Sequence, residues 1–104
     1  MILLECDYIL MKTERQLQNY IINRIRVLGG LCHKTESRSS RGWPDLICIY
    51  NGRCAFVEVK TPAGTGKLSA LQKRCIEKLL VHKMDAFLVD SEELADELID
   101  WLVG

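Results

Sequence analysis

The chain carries no net charge, no Cys-x-x-Cys pair and only two histidines among its 104 residues. Each absence removes a class of reading. Five cysteines (Cys6, Cys32, Cys48, Cys54, Cys75) without metal-site spacing argue against a zinc site. An odd count, with three of them inside apolar strand or helix patterns, reads as reduced, mostly buried thiols of a cytosolic protein. His33 and His82 stand alone and read as structural residues, not general bases. The apolar stretch Met1–Leu10 carries Glu5 and Asp7, lacks a basic leader region and is too short to span a bilayer. No other segment reads as transmembrane or secretory. Internal repeats and low-complexity segments are missing, and the connections are too short for a domain boundary. Residues 1–104 therefore read as one domain with a modest core, supported by 48% apolar residues. Residues 1–12 are a candidate N-terminal arm: an edge strand, a dimerisation piece, or an extension ahead of a second start at Met11.

The zero net charge hides a strong asymmetry. Residues 1–84 hold all 14 Lys and Arg and seven acids, a net +7; residues 85–104 hold seven acids and no Lys or Arg, a net −7. The basic part can attract phosphate while the acidic end faces elsewhere.

Local patterns lay out the elements. Thr13 to Gln16 reads as a capping box, followed by Leu17, Tyr20, Ile21, Ile25 and Leu28 at helical spacing and a stop at Gly29-Gly30. Leu31 to about Glu36 reads as a short strand, and Ser37–Gly42 as a polar, basic loop. Asp45–Tyr50 and Arg53–Lys60 read as strands joined by Asn51-Gly52. After the loop Thr61–Gly66, a helix runs from Ser69 to about Val81, with Leu71, Cys75, Ile76, Leu79 and Leu80 as its apolar set. Ala86–Val89 is a short strand. Ser91 caps a last helix with Glu92 and Glu93 in its first turn, and Leu94, Leu98, Trp101 and Leu102 as its apolar face. The order is α-β-β-β-α-β-α, an α/β arrangement of helices around a mixed sheet.

The hairpin carries the chemistry. Asn-Gly is the strongest short-range hairpin signal because both central residues take positive φ. A two-residue turn sets Tyr50 opposite Arg53, Cys48 opposite Ala55 and, counting outward, Asp45 opposite Glu58. Directly opposed residues have Cβ atoms roughly 4.5–5.5 Å apart. Lys60, two residues on, shares the face of Glu58. Two like charges so placed repel unless something compensates them, and carboxylates suit Mg²⁺ or Mn²⁺. Such a site would hold a metal, activate a water and steady a phosphate oxygen. An ordinary solvated Glu58–Lys60 pair is the plain alternative, and the surrounding Leu46, Ile47, Ile49, Phe56, Val57 and Val59 argue against it.

Gly42-Trp43-Pro44-Asp45, then Glu58-Val59-Lys60, then Leu68-Ser69-x-x-Gln72 resembles the PD-(D/E)XK nuclease superfamily. Within it the chain is similar to the small stand-alone members of the VRR-NUC family, the virus-type replication and repair nucleases, over roughly residues 13 to 90. The resemblance implies a restriction-endonuclease-like core: a mixed β-sheet flanked by helices. It implies Asp45, Glu58 and the Val59 carbonyl as metal ligands and Lys60 as the residue that positions the attacking water. Glu14 matches the acid on the first helix, as a ligand to this or a second metal. Gln72 would point to the site and assist Lys60. The cofactor would be Mg²⁺, with Mn²⁺ substituting and no small-molecule cofactor.

Arg38, Arg41 and Lys67 flank these residues from two loops and suit contacts to a phosphate backbone. Trp43 reads first as packing, with base stacking as its alternative. The expected activity is metal-dependent hydrolysis of DNA phosphodiester bonds leaving 5′ phosphates. By resemblance it is structure-selective, acting as a homodimer on branched DNA such as a four-way (Holliday) junction in DNA repair, within a bacterial or phage-infected cell. The alternatives are a non-specific nicking or restriction-type nuclease subunit, or a catalytically silent DNA-binding module. The intact Asp45, Glu58 and Lys60 set argues against the last, since opposed carboxylates repel phosphate.

Overall fold

The computed structural model describes residues 11–35, 41–63 and 66–104. The expected Met1–Leu10 arm, Cys6, and Arg38 with its neighbouring serines lie outside them. Seven elements follow in order: α1 (Glu14–Val27), β1 (Leu31–Lys34), β2 (Leu46–Tyr50), β3 (Arg53–Val59), α2 (Ala70–Val81), β4 (Asp85–Val89) and α3 (Glu92–Val103). This is the expected order. The sheet runs β1-β2-β3-β4, antiparallel through β3 and parallel between β3 and β4, so it is mixed. Among the described residues no helix is long and apolar enough to cross a membrane.

Local chemistry explains the element ends. Thr13 accepts from the Gln16 backbone at 3.1 Å while the Gln16 side chain accepts from the Thr13 backbone, closing the capping box of α1. Ser69 and Gln72 repeat the device at α2. Ser91 accepts from the Leu94 backbone at α3. Asn51 at φ 44 and Gly52 at φ 87 make the β2–β3 turn, which sets Tyr50 opposite Arg53 and Leu46 opposite Val57. The ladder pairs residue for residue from Tyr50 back to Leu46.

One face of the sheet is the core. Leu46 and Cys48 of β2 and Ala55, Val57 and Val59 of β3 alternate onto it. Leu17, Ile21 and Ile25 of α1 and Ala95, Leu98, Ile99 and Leu102 of α3 cover them in one cluster. The Tyr20 hydroxyl donates to Asp96 at 2.5 Å and ties α1 to α3. Cys32 and Cys48, opposed across β1 and β2, are buried free thiols with sulfurs 3.4 Å apart; Cys54 and Cys75 are half-buried.

Several sequence expectations shift. In α1, Ile22 is buried while Leu28 caps the end and is exposed. In α3 the core stripe is 95, 98, 99 and 102, the tighter i, i+3, i+4, i+7 set. Leu94 is exposed and Trp101 sits at the margin, 5.1 Å from Phe87 between ring centroids. The Arg53 guanidinium lies 5.4 Å from the Trp101 ring and donates to its carbonyl. The largest departure is α2. Of the five apolar residues expected to face the core, only Leu79 is buried; Leu71 is 41% and Leu80 53% exposed. By alternation, the sheet face that α2 meets carries Glu58 among Ile47, Phe56 and Leu88, and the helix docks in part through a polar side chain, Gln72.

Candidate active site

Asp45 sits at the entrance to β2. Its backbone carbonyl accepts from the Thr35 amide at 2.9 Å, and the Thr35 hydroxyl donates to the Pro44 carbonyl. Pro44 is fully buried. The loop is thereby clamped to the end of β1, which aims Asp45 across to β3. There its carboxylate accepts from the Val59 amide at 2.8 Å. In an antiparallel pair a residue's N–H and C=O point to the same neighbouring strand, so the Val59 carbonyl faces the Asp45 side too. Asp45 and Glu58 therefore meet as the hairpin register requires.

Glu58 is 2% exposed, the one buried charged residue among those described. Its Oε2 accepts from Lys60 Nζ at 3.2 Å and from Gln72 Nε2 at 2.9 Å. Gln72 Oε1 accepts from Lys60 Nζ at 3.1 Å and from the Ser69 amide at 2.9 Å. One glutamine thus does two jobs. It closes the capping box of α2, and its amide is held with oxygen toward Lys60 and nitrogen toward Glu58. No other orientation satisfies a cation and a carboxylate together.

The electrostatics are unbalanced. Burial pushes the Glu58 carboxyl up to about 7, the nearby Asp45 charge pushes the same way, and Lys60 opposes both. Asp45 is also raised, first by burial, with the Val59 hydrogen bond acting against it. Glu58 Oε1 is buried with no hydrogen-bond partner. An orphaned carboxylate oxygen is costly in a native interior. One ammonium cannot neutralise two carboxylates. The donor set of two carboxylates and a carbonyl, with one oxygen left open, fits a hard divalent cation bound through oxygen. Among the described residues no three His, Cys, Asp or Glu side chains come together. Glu14 stands exposed in the first turn of α1, and its charge raises both Asp45 and Glu58 without joining them.

Comparisons with known proteins bear on the family and the fold. The family model of the VRR-NUC domain matches residues 4–93. The chain belongs to the VRR-NUC domain family. A solved structure described as a VRR_NUC domain superposes with a TM-score of 0.75 at 34% identity, covering 84% of this chain and 94% of that one. "Putative nuclease p44" of Acyrthosiphon pisum secondary endosymbiont phage 1 is 30% identical over 86 residues, covering 82% of this chain and 90% of the relative.

In this VRR-NUC domain, then, the fold brings together Asp45, Glu58, Val59, Lys60 and Gln72. Lys67 is exposed in the loop ahead of α2. Arg41 is exposed and lines a groove with Trp43 and α2. Trp43 packs against Phe56, 6.0 Å between centroids with planes tilted 54°, as its packing role requires. Sequence reasoning overlooked Arg74 and Lys78, which line the same groove. The signal was available: they fall at helical spacing from Leu71 on the helix that carries Gln72. Reading Leu71 as core concealed it.

Proposed function

We propose that this VRR-NUC domain is a metal-dependent endonuclease that hydrolyses DNA phosphodiester bonds. The observation that carries the reading is the buried Glu58 oxygen left without a partner beside Asp45, in a site where a single lysine faces two carboxylates. Asp45, Glu58 and the Val59 carbonyl would hold Mg²⁺, with Mn²⁺ as a substitute. The cation, when bound, would acidify a water and offset charge on the scissile phosphate. Lys60, tethered by Gln72, would orient that water or a phosphate oxygen. Glu14 contributes negative field from α1 and is the candidate for an outer or second metal position. Arg38, Arg41 and Lys67 would hold the phosphate backbone without reading sequence.

The finer reading is structure-selective cutting of branched DNA, four-way junctions among them, by a homodimer. Leu31 and Ile49, opposed on the sheet face away from the core, are 66% and 40% exposed. Such an uncovered apolar pair, on the outermost described strand and its neighbour, favours burial against a second copy.

Cleavage of a labelled four-way junction beside a matched linear duplex, with Mg²⁺ or Mn²⁺, tests both levels. Metal-dependent cutting of the junction, lost in Asp45→Ala, is the expected result. Cutting of both substrates would remove the selectivity and keep the chemistry. A folded wild type that cuts nothing would sink the nuclease reading.

A further inference from the structure

α2 presents a second line of chemistry beside Gln72. Leu71, Arg74, Cys75, Lys78, Leu79 and His82 recur at helical spacing and form one stripe. That stripe is one wall of a groove of about 370 Å³, and Arg41 with Trp43 forms the other. None of Asp45, Glu58, Lys60 or Gln72 lines it. The groove nevertheless adjoins the active site through the chain itself, since Trp43 precedes Asp45 by two residues and Leu71 immediately precedes Gln72.

The walls are held at a set distance. Gly42 lies against α2 so closely that a Cβ there would come within 2.6 Å of Leu71 Cγ, and its φ of +83 suits glycine. Phe56 supports Trp43, which stays 43% exposed. Arg41, Arg74 and Lys78 bring permanent positive charge, and no carboxylate lines the groove. Among the described residues the single ion pair is Lys60–Glu58, so none of these cations is paired with a described carboxylate.

An aromatic ring beside unpaired cations fits an anion that also has flat apolar faces. Nucleotides of an unpaired strand have both. A duplex hides its base faces in the stack and offers Trp43 nothing to stack on. From Leu71 to His82 the stripe runs about 16 Å at the helical rise, room for several nucleotides. We infer that this groove binds an unpaired DNA strand beside the scissile bond, with a base against Trp43 and phosphates on Arg41, Arg74 and Lys78. The inference rests on the nuclease reading and adds to it a surface for unpaired nucleotides beside the active site.

The test is fluorescence anisotropy in EDTA, where no strand is cut. A short oligo(dT) and a matched duplex are titrated with wild type, Trp43→Leu, Trp43→Phe, the Arg74→Ala/Lys78→Ala double variant and Asp45→Asn. Circular dichroism checks that each is folded. Wild type should prefer the single strand. Trp43→Leu should weaken it about 5- to 100-fold, while Trp43→Phe, which keeps a ring, should retain most of the affinity. The double variant should lower the salt slope by about 1.4, two phosphates at about 0.7 each for single strands. Asp45→Asn should bind like wild type and cut nothing once metal is restored. Folded groove variants that bind the single strand like wild type, or that lose duplex binding equally, overturn the inference. If wild type cuts DNA in that case, the nuclease reading survives alone. Binding through the groove by a wild type that never cuts leaves the groove standing and removes the nuclease.

Discussion

α2 and α3 are built alike and used differently. Each has 12 residues, and each starts at a serine whose hydroxyl accepts from the backbone three residues on. α3 buries Ala95, Leu98, Ile99 and Leu102, carries all its charge as acid and contributes nothing to the site. α2 buries Leu79 alone and carries its excess charge as base. The difference lies in what each helix meets. α3 meets the apolar face of the sheet, where burying a large aliphatic side chain stabilises by about 1.5–3 kcal/mol. α2 meets the face that holds Glu58 and Lys60, and Gln72 bonds to both of them there. A helix released from the core keeps its outer side chains for a ligand.

That contrast can be broken from either side. The largest effect is expected at the charges α2 serves. Glu58→Ala or Asp45→Ala should reduce metal-dependent DNA cleavage about 10³-fold or more, the several kcal/mol of charge stabilisation a metal supplies. Single-turnover rates on a labelled substrate would measure it, and a variant within tenfold of wild type would remove the residue from the site.

Leu98→Ala comes next and strikes the scaffold. It should cost about 2–5 kcal/mol of stability in urea or thermal unfolding. Leu80→Ala, the matching change on the exposed side of α2, should stay within about 0.5 kcal/mol. Similar losses for the two would erase the distinction between the helices.

Gln72→Ala should act on both links at once. Loss of the reciprocal cap costs about 1 kcal/mol of stability. Freeing Lys60 and Glu58 should lower cleavage about 10- to 100-fold. Gln72→Glu should be as poor in activity, because a carboxylate then faces Glu58 where an N–H stood. Full activity in Gln72→Glu would show that the amide orientation is unimportant.

Titration separates the two sides most finely. In metal-free protein the Glu58 carboxyl is raised from 4.5 to about 7, so the folded state holds a proton that the unfolded state has released. Its contribution is fully present below about 4.5 and lost as pH rises through about 7. Unfolding in EDTA should therefore show stability falling across that window, and Glu58→Gln should flatten the fall. On the α3 side, the hydrogen bond to Asp96 holds the Tyr20 hydroxyl up to about 12. Its contribution is lost only as pH rises through that value, so Tyr20→Phe should cost about 1–2 kcal/mol evenly between pH 5 and 8. A pH-dependent cost there, or a flat wild-type profile in EDTA, would contradict these assignments.

What was legible in the sequence had short range. Thr13 with Gln16, Ser69 with Gln72 and Ser91 with Leu94 act across three residues. Asn51-Gly52 acts across two, and the register it imposes sets Asp45 opposite Glu58, where the Thr35 clamp then holds it. Apolar spacing located every element, yet it misjudged which stripes are covered, because exposure depends on the partner surface. Leu71 and Leu80 looked like core by spacing and are 41% and 53% exposed, because α2 docks on the sheet beside Glu58 and buries Leu79 alone.

The sequence by itself therefore determined the caps, the hairpin register, the opposed carboxylates and the split of charge between the two parts of the chain, all consequences of bonds and sterics between near neighbours. The tertiary structure alone decided that Gln72 threads between Lys60 and Glu58, that one Glu58 oxygen is buried without a partner, that Cys32 meets Cys48, and that Trp43 and α2 enclose a basic groove. Each of these follows from where a crossover helix or an edge strand lands on the sheet, and that landing is a sum of burial and charge over residues far apart in the chain.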